Sequence, residues 1–272
     1  VLVSLSSDAA ESGDDTITVV NGNNSIAGGA GVDTITTTDG VDIILGDNGQ
    51  IVWSATGIIE SVTATDLTNG AGDIINAGDG DNIIVGATGN DAIETGIDND
   101  TILGDGGIAL YNAGVLVSLS SDAAEVGDDL ITVVNGNNII AGGAGIDAIT
   151  TTDGVDIILG DNGQIVWSAT GVVESVTATD LTNGAGDIIK AGDADNIIVG
   201  ATGNDVIESG VNNDTILGGG GIALYNAGVL VSLSSDAAEI GDDIITVVNG
   251  NNIIAGGAGA DTITTTDGVD II

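Results

Sequence analysis

Gly28-Gly29-Ala30-Gly31-Val32-Asp33-Thr34-Ile35-Thr36 is the stretch that decides the fold. Glycine stands at positions 1, 2 and 4 of this nonapeptide, aspartate at position 6 and a large apolar residue at position 8. The same pattern returns at 142–150 and 256–264, and looser copies abut it without a gap. A nine-residue period fits no helix, and glycine at this density would destabilise one. The last three residues of each copy suit a short strand. The first six, rich in Gly, Asn and Asp, suit a turn with left-handed backbone angles. Two nonapeptides then close one coil of a solenoid, with a strand on each side.

Longer repeats enclose the short one. Val1-Leu2-Val3-Ser4-Leu5-Ser6-Ser7-Asp8 recurs at Val115 and Val229, and residues 1–114 and 115–228 differ at 14 positions. The chain therefore reads as two β-solenoid repeats, 1–114 and 115–228, and a partial third, 229–272, within one continuous solenoid. It resembles a slice of a longer array. Each repeat splits into two diverged halves, in which Asp15, Asp33, Asp42 and Trp53 fall opposite Asp73, Asp91, Asp100 and Tyr111. The first half reads AESGDDTIT, VVNGNNSIA, GGAGVDTIT and TTDGVDIIL (10–45), and the second TNGAGDIIN, AGDGDNIIV, GATGNDAIE and TGIDNDTIL (68–103). Each half then leaves the pattern through GDNGQIVWSATG (46–57) or GDGGIALYNAG (104–114) and a longer alternating stretch.

The expected architecture is all-β: a right-handed parallel β-roll or β-helix solenoid of about 18–21 residues per coil, in 57-residue half-units paired into 114-residue repeats. Three coils per half would advance a 114-residue unit about 29 Å. Each nonapeptide strand sends one side chain inward: Ile17, Ile26, Ile35, Ile44, Ile75, Ile84, Ile93 and Ile102. Burying one isoleucine contributes about 1.5–3 kcal/mol, whereas ordering nine residues costs several times more. Metal binding can supply the difference.

Composition points the same way. Forty-one acids face one base, Lys190, for a formal charge of -40. With 42% apolar residues the chain is not disordered, but a compact body at this charge repels itself unless cations bind. Nucleic acid is excluded as a partner by the lack of positive charge. No apolar run approaches transmembrane length, so membrane insertion is not expected, and neither is a signal peptide. There is no cysteine or histidine for zinc, and oxygen-rich turns suit calcium. The candidate ligands are the position-6 acids Asp15, Asp33, Asp42, Asp73, Asp91, Asp100, Asp129, Asp147, Asp156, Asp187, Asp205, Asp214, Asp243, Asp261 and Asp270. Gly28, Gly31, Gly142, Gly145, Gly256 and Gly259 shape the best-formed turns. Stacking pairs Asp15 with Asp33, Asn24 with Asp42, Asp73 with Asp91 and Asn82 with Asp100. The Asn positions predict weaker or empty sites, or a hydrogen-bonded ladder. The strongest sites are expected around Asp33, Asp147 and Asp261. Asp105 becomes Gly219 in the next copy, so any ligand role there is dispensable.

These nonapeptides resemble those of the repeats-in-toxin (RTX) family over about two thirds of the chain. The resemblance implies a parallel β-roll with calcium in its turns. It further implies export as an unfolded chain by type I secretion, folding on external calcium, and a place outside the cell or at its surface. Catalysis is not expected, because the acids recur in equivalent turns and Lys190 occurs in one copy only. The expected role is a calcium-binding structural segment of a giant secreted protein, an adhesin stalk or a self-associating filament array. A ligand- or ice-binding face would instead need an unbroken exposed row of Thr or aromatic residues. A secretion segment of an exported enzyme or toxin is the third reading. Trp53, Tyr111, Trp167 and Tyr225 read as packing residues.

Overall fold

The computed structural model describes residues 2–7, 12–65, 68–121, 124–178 and 182–272. Val1 and Asp8 of the repeat signature and Ala10-Glu11 of the first nonapeptide lie outside them. The described residues form strands and turns in three sheets, and none of them builds a helix long and apolar enough to cross a membrane.

Two sheets are parallel throughout. The first, of ten strands, is made by the ends of the first and third nonapeptides of each half: Thr16–Thr18, Thr34–Thr36, Ile74–Asn76, Ala92–Ile97 and their successors. The second, of nine strands, is made by the second and fourth: Ser25–Ala27, Ile43–Leu45, Ile83–Val85, Thr101–Leu103 and onward. Like positions pair with like, as Ile17↔Ile35, Ile35↔Ile75 and Ile75↔Ile93 on one side and Ile26↔Ile44 and Ile44↔Ile84 on the other. A slip of one residue would turn every isoleucine outward, so the apolar stack fixes the register. The predicted isoleucines form one continuous core between the two sheets, with Ile17 packed at its end. The β-roll expectation holds.

The longer third segment of each half behaves differently from a coil. After Leu45 the chain leaves the roll and forms Gly49–Trp53 and Ile59–Ala64, an antiparallel pair, before rejoining at Ile74. Gly107–Asn112 and Val115–Ser121 do the same in the second half. These hairpins pair with one another into a third, nine-stranded antiparallel sheet. The cause is the connections. Ala113-Gly114, with φ of 52° and 83°, joins its strands in two residues, and a parallel partner would need a crossover of a dozen or more. Each 114-residue unit therefore adds four strands to each sheet, and its advance is about 19 Å rather than 29 Å.

The third sheet also thickens the core. The second parallel sheet is a middle layer, buried on both faces, and all three residues of Ile43–Leu45 and of Ile157–Leu159 are buried. Its outward-alternating residues Ile43, Leu45, Val85, Leu103, Leu159 and Val199 pack against Ile51, Val62, Leu119, Ile165 and Val176 of the antiparallel sheet. Trp53, Tyr111, Trp167 and Tyr225 belong to this second core, as packing residues. On the free face of the first sheet, Thr36 is followed by Asn76 and Glu94, and Thr150 by Lys190 and Glu208. The threonine row is broken in both full repeats.

Candidate metal centre

The turns between the two parallel sheets lie along two edges of the roll. On the first edge, residues 28–33 carry the chain from Ser25–Ala27 to Thr34–Thr36. Every second turn on this edge is split, because the hairpin excursion departs and returns there. The second edge, as at 37–42, has no excursion. Asp15, Asp33, Asp73, Asp91, Asp129, Asp147, Asp187, Asp205, Asp243 and Asp261 all fall on the first edge. Asp42, Asp100, Asp156, Asp214 and Asp270 fall on the second. The pairs expected within each half are neighbours, and the stack runs on across every excursion, as from Asp33 to Asp73 and from Asp91 to Asp129.

On the first edge each aspartate accepts, through Oδ1, the backbone N–H of the aspartate one coil before it. Nine such bonds run from Asp15 N to Asp261 Oδ1, at 2.6–3.1 Å. The other oxygen, Oδ2, of Asp33, Asp73, Asp91, Asp129, Asp147, Asp187, Asp205 and Asp243 is buried without a hydrogen-bond partner. Beside each lies a backbone carbonyl. A Cβ placed on Gly28 would sit 2.2 Å from Gly46 O and 2.3 Å from Asp33 Oδ2, and one on Gly142 would sit 2.3 Å from both Gly160 O and Asp147 Oδ2. Glycine at position 1 thus keeps open a small cradle of two oxygens. Gly46, Gly86, Gly104, Gly160 and Gly200, outside the strict motif, hold the same pair at 2.2–2.5 Å. Geometry does not set the Asp33 and Asp147 turns apart from these. Gly31, Gly145 and Gly259 serve differently. Their φ values of 131°, 136° and 150° need glycine, and each packs on the backbone of the preceding coil.

One further set of acids carries a role that the sequence did not show: Asp47 and Asp161 drew no notice there, and Asp105 was read only as dispensable for any ligand role. Asp47, Asp105 and Asp161 stand at position 2 of the split turns, where glycine is the rule, and all three are buried. Asp47 Oδ2 accepts from Thr88 N at 2.9 Å, Asp105 Oδ2 from Ala144 N at 2.6 Å and Asp161 Oδ2 from Thr202 N at 2.5 Å. They hold the mouth of each excursion to the next turn. Where Gly219 replaces Asp105, Glu239 bonds Gly203 N and Gly220 N, each at 3.2 Å. The signal was present, since Gly46-Asp47-Asn48-Gly49 continues the nonapeptide phase with an acid at position 2.

Burial sets the electrostatics. It pushes Asp73 and Asp147 to about 7, Asp205 to about 8 and Asp47 to about 8. Asp105 rises to about 9 by burial, then by the charge of Asp129, and Asp187 to about 11 by burial, then by Asp161. Carboxylates one strand apart, at about 4.8 Å, repel by about 3.5 kcal/mol at an effective dielectric of about 20. Such a column needs protons or cations between its members. Carboxylate and carbonyl donors alone suit a hard, geometrically tolerant ion such as calcium. Among the described residues no three acidic side chains converge into a metal cage. An ion here would take its carboxylates from stacked turns and complete its shell with backbone carbonyls. When bound, calcium supplies the positive charge that lets these carboxylates stay ionised in the fold.

Fold and edge together define a class: a parallel β-roll whose stacked turns carry oxygen-only cation cradles. A family model for the RTX calcium-binding nonapeptide repeat (4 copies) matches residues 18–50, 68–108, 133–164, 184–222 and 238–272. The chain belongs to this family, and its repeats are calcium-binding. No curated protein and no solved structure matched the chain.

Proposed function

We propose that this chain is a non-enzymatic, calcium-stiffened structural segment of a secreted repetitive protein, serving as the stalk of a surface adhesin or as part of a filament. The observation that carries this reading is continuity. Both parallel sheets and the core between them run from the first repeat into the third without a break, and successive copies add the same strands in the same register. The acids recur in equivalent turns and do not gather in one unique cleft, which argues against catalysis. Export by type I secretion and a place at the cell surface follow from the family habit and belong to the same proposal. So does lateral association of copies, for which the exposed Ile74, Leu130, Ile188 and Ile244 on the free face of the first sheet offer a row of contacts.

Small-angle X-ray scattering on chains of one, two and four repeats in calcium tests the reading. A stalk keeps a constant cross-section and lengthens by about 19 Å per 114-residue repeat. A radius of gyration that grows as a compact globule's would refute it.

A further inference from the structure

The two edges are chemically different. On the first edge position 6 is always aspartate and position 1 is glycine wherever the turn is unbroken. On the second edge position 6 alternates strictly: Asn24, Asp42, Asn82, Asp100, Asn138, Asp156, Asn196, Asp214, Asn252, Asp270. Position 1 of the same turns alternates with it. Each Asn turn begins with Val or Ala (Val19, Ala77, Val133, Ala191, Val247), and each Asp turn with a hydroxyl residue (Thr37, Thr95, Thr151, Ser209, Thr265).

The structure gives this alternation a purpose. The side-chain amides of the Asn residues occupy the oxygens that a cation would need. Asn82 Nδ2 donates to Gly78 O at 3.1 Å and Gly80 O at 2.9 Å, and Asn196 Nδ2 to Gly192 O at 3.1 Å and Ala194 O at 3.2 Å. Asn24, Asn138 and Asn252 donate across the coil to Oδ1 of Asp42, Asp156 and Asp270 at 2.8–2.9 Å. An N–H and a cation cannot share one lone pair. A hydroxyl residue of the same turn stands beside each of these carboxylates and helps lower its pKa against burial: Thr95 beside Asp100, Thr151 beside Asp156 and Ser209 beside Asp214. Thr95 Oγ1 and Ser209 Oγ, and the Oδ2 atoms of Asp100, Asp156 and Asp214, are buried and make no hydrogen bond. A side chain at position 1 also fills the place that glycine leaves open on the first edge.

We infer that calcium binds along the first edge only, and that the second edge is a ladder of Asn amide and Asp hydrogen bonds that takes no metal. This rests on the calcium reading of the repeats and narrows it to one row of sites. Asp42, Asp100, Asp156, Asp214 and Asp270 are then structural acceptors and not ligands.

The test counts bound calcium by equilibrium dialysis on the full chain and on two double variants, with folding followed by circular dichroism in calcium. Asn keeps the Oδ1 acceptor of each ladder and removes only the charge, and the second edge already carries it at alternate coils. Asp91→Asn with Asp205→Asn should lose bound calcium, whereas Asp100→Asn with Asp214→Asn should keep the parental number. Equal losses from both variants would overturn the inference while leaving calcium binding intact. A parental chain that binds no calcium would overturn both. Should either variant fail to fold, the parental count decides: no more ions than the ten position-6 aspartates of the first edge supports one row, and a clearly larger number refutes it.

Discussion

Gly142→Ala probes the cradle with a single methyl group. The backbone of Gly142 does not lie in the left-handed region, so alanine can adopt its conformation and the whole effect comes from contact. The new Cβ would sit 2.3 Å from Asp147 Oδ2 and 2.3 Å from Gly160 O, about 1 Å inside an ordinary carbon–oxygen contact. The carbonyl is held in the turn stack by its bond from Gly143 N at 3.1 Å, so the carboxylate must swing away. That breaks the 2.8 Å bond from Asp129 N to Asp147 Oδ1, a bond to a charged group worth about 1.5–3 kcal/mol, and leaves a buried N–H unpaired. The lower entropy of alanine in the unfolded chain returns about 0.4–1 kcal/mol. The net loss is about 0.5–2.6 kcal/mol by these terms, read as a lower urea midpoint at unchanged slope. In calcium the loss should grow, because the same two oxygens line the cation site. Gly13→Ala is the control, since nothing lies within 4 Å of a Cβ there. A Gly142→Ala chain as stable as Gly13→Ala, in calcium and in chelator alike, would refute the cradle.

Other perturbations separate the remaining parts of the account. Burial raises the carboxylates of Asp73, Asp147 and Asp205 from 3.8 to about 7, 7 and 8, so the metal-free native state binds protons more tightly than the unfolded chain. Its stability is therefore full below about pH 4 and falls as pH rises towards 8, and urea midpoints in chelator should be lower at pH 8 than at pH 5. Calcium competes with the same protons, so its affinity measured by titration calorimetry should rise over that interval. Ile149→Ala, in the core between the parallel sheets, should cost about 2–5 kcal/mol, and Leu159→Ala, facing the antiparallel sheet, should cost the same. A Leu159→Ala loss under about 0.5 kcal/mol would contradict the third layer. Lys190→Asn removes a 3.4 Å pair with Glu208 between half-exposed side chains and should change stability by less than about 0.5 kcal/mol.

The roll itself was legible because its signal is repeated and physical. Position 8 must be apolar to fill the core, position 6 must carry an oxygen to take the neighbouring N–H, and both recur every nine residues. The third sheet was hidden because alternation in Gly49–Trp53 or Ile59–Ala64 gives a strand but not its direction. Direction is set by the turns, and Ala113-Gly114 lacks the Asn-Gly or Asp-Gly that announces a two-residue hairpin. A trace of the third layer was readable all the same. IIL, IIV, TIL and IIA close the nonapeptides of the middle sheet, apolar at both positions 8 and 9, whereas TIT, IIN and LIT close those of the outer sheet, polar at position 9. Only strands covered on both faces need the first pattern. The chemistry of the edges was half legible. The Asn positions stood out, but their coupling to Val, Ala, Thr or Ser at position 1 gains meaning only once those side chains are seen to fill the turn.

The central claim is that cations on stacked carboxylates hold this roll together. Circular dichroism of the chain, taken first in chelator and then through a calcium titration at neutral pH, tests it most directly. The account predicts a clearly weaker β-spectrum in chelator than in calcium and a cooperative gain of β-structure as calcium is added. A full β-spectrum in chelator, unchanged by calcium, would contradict it.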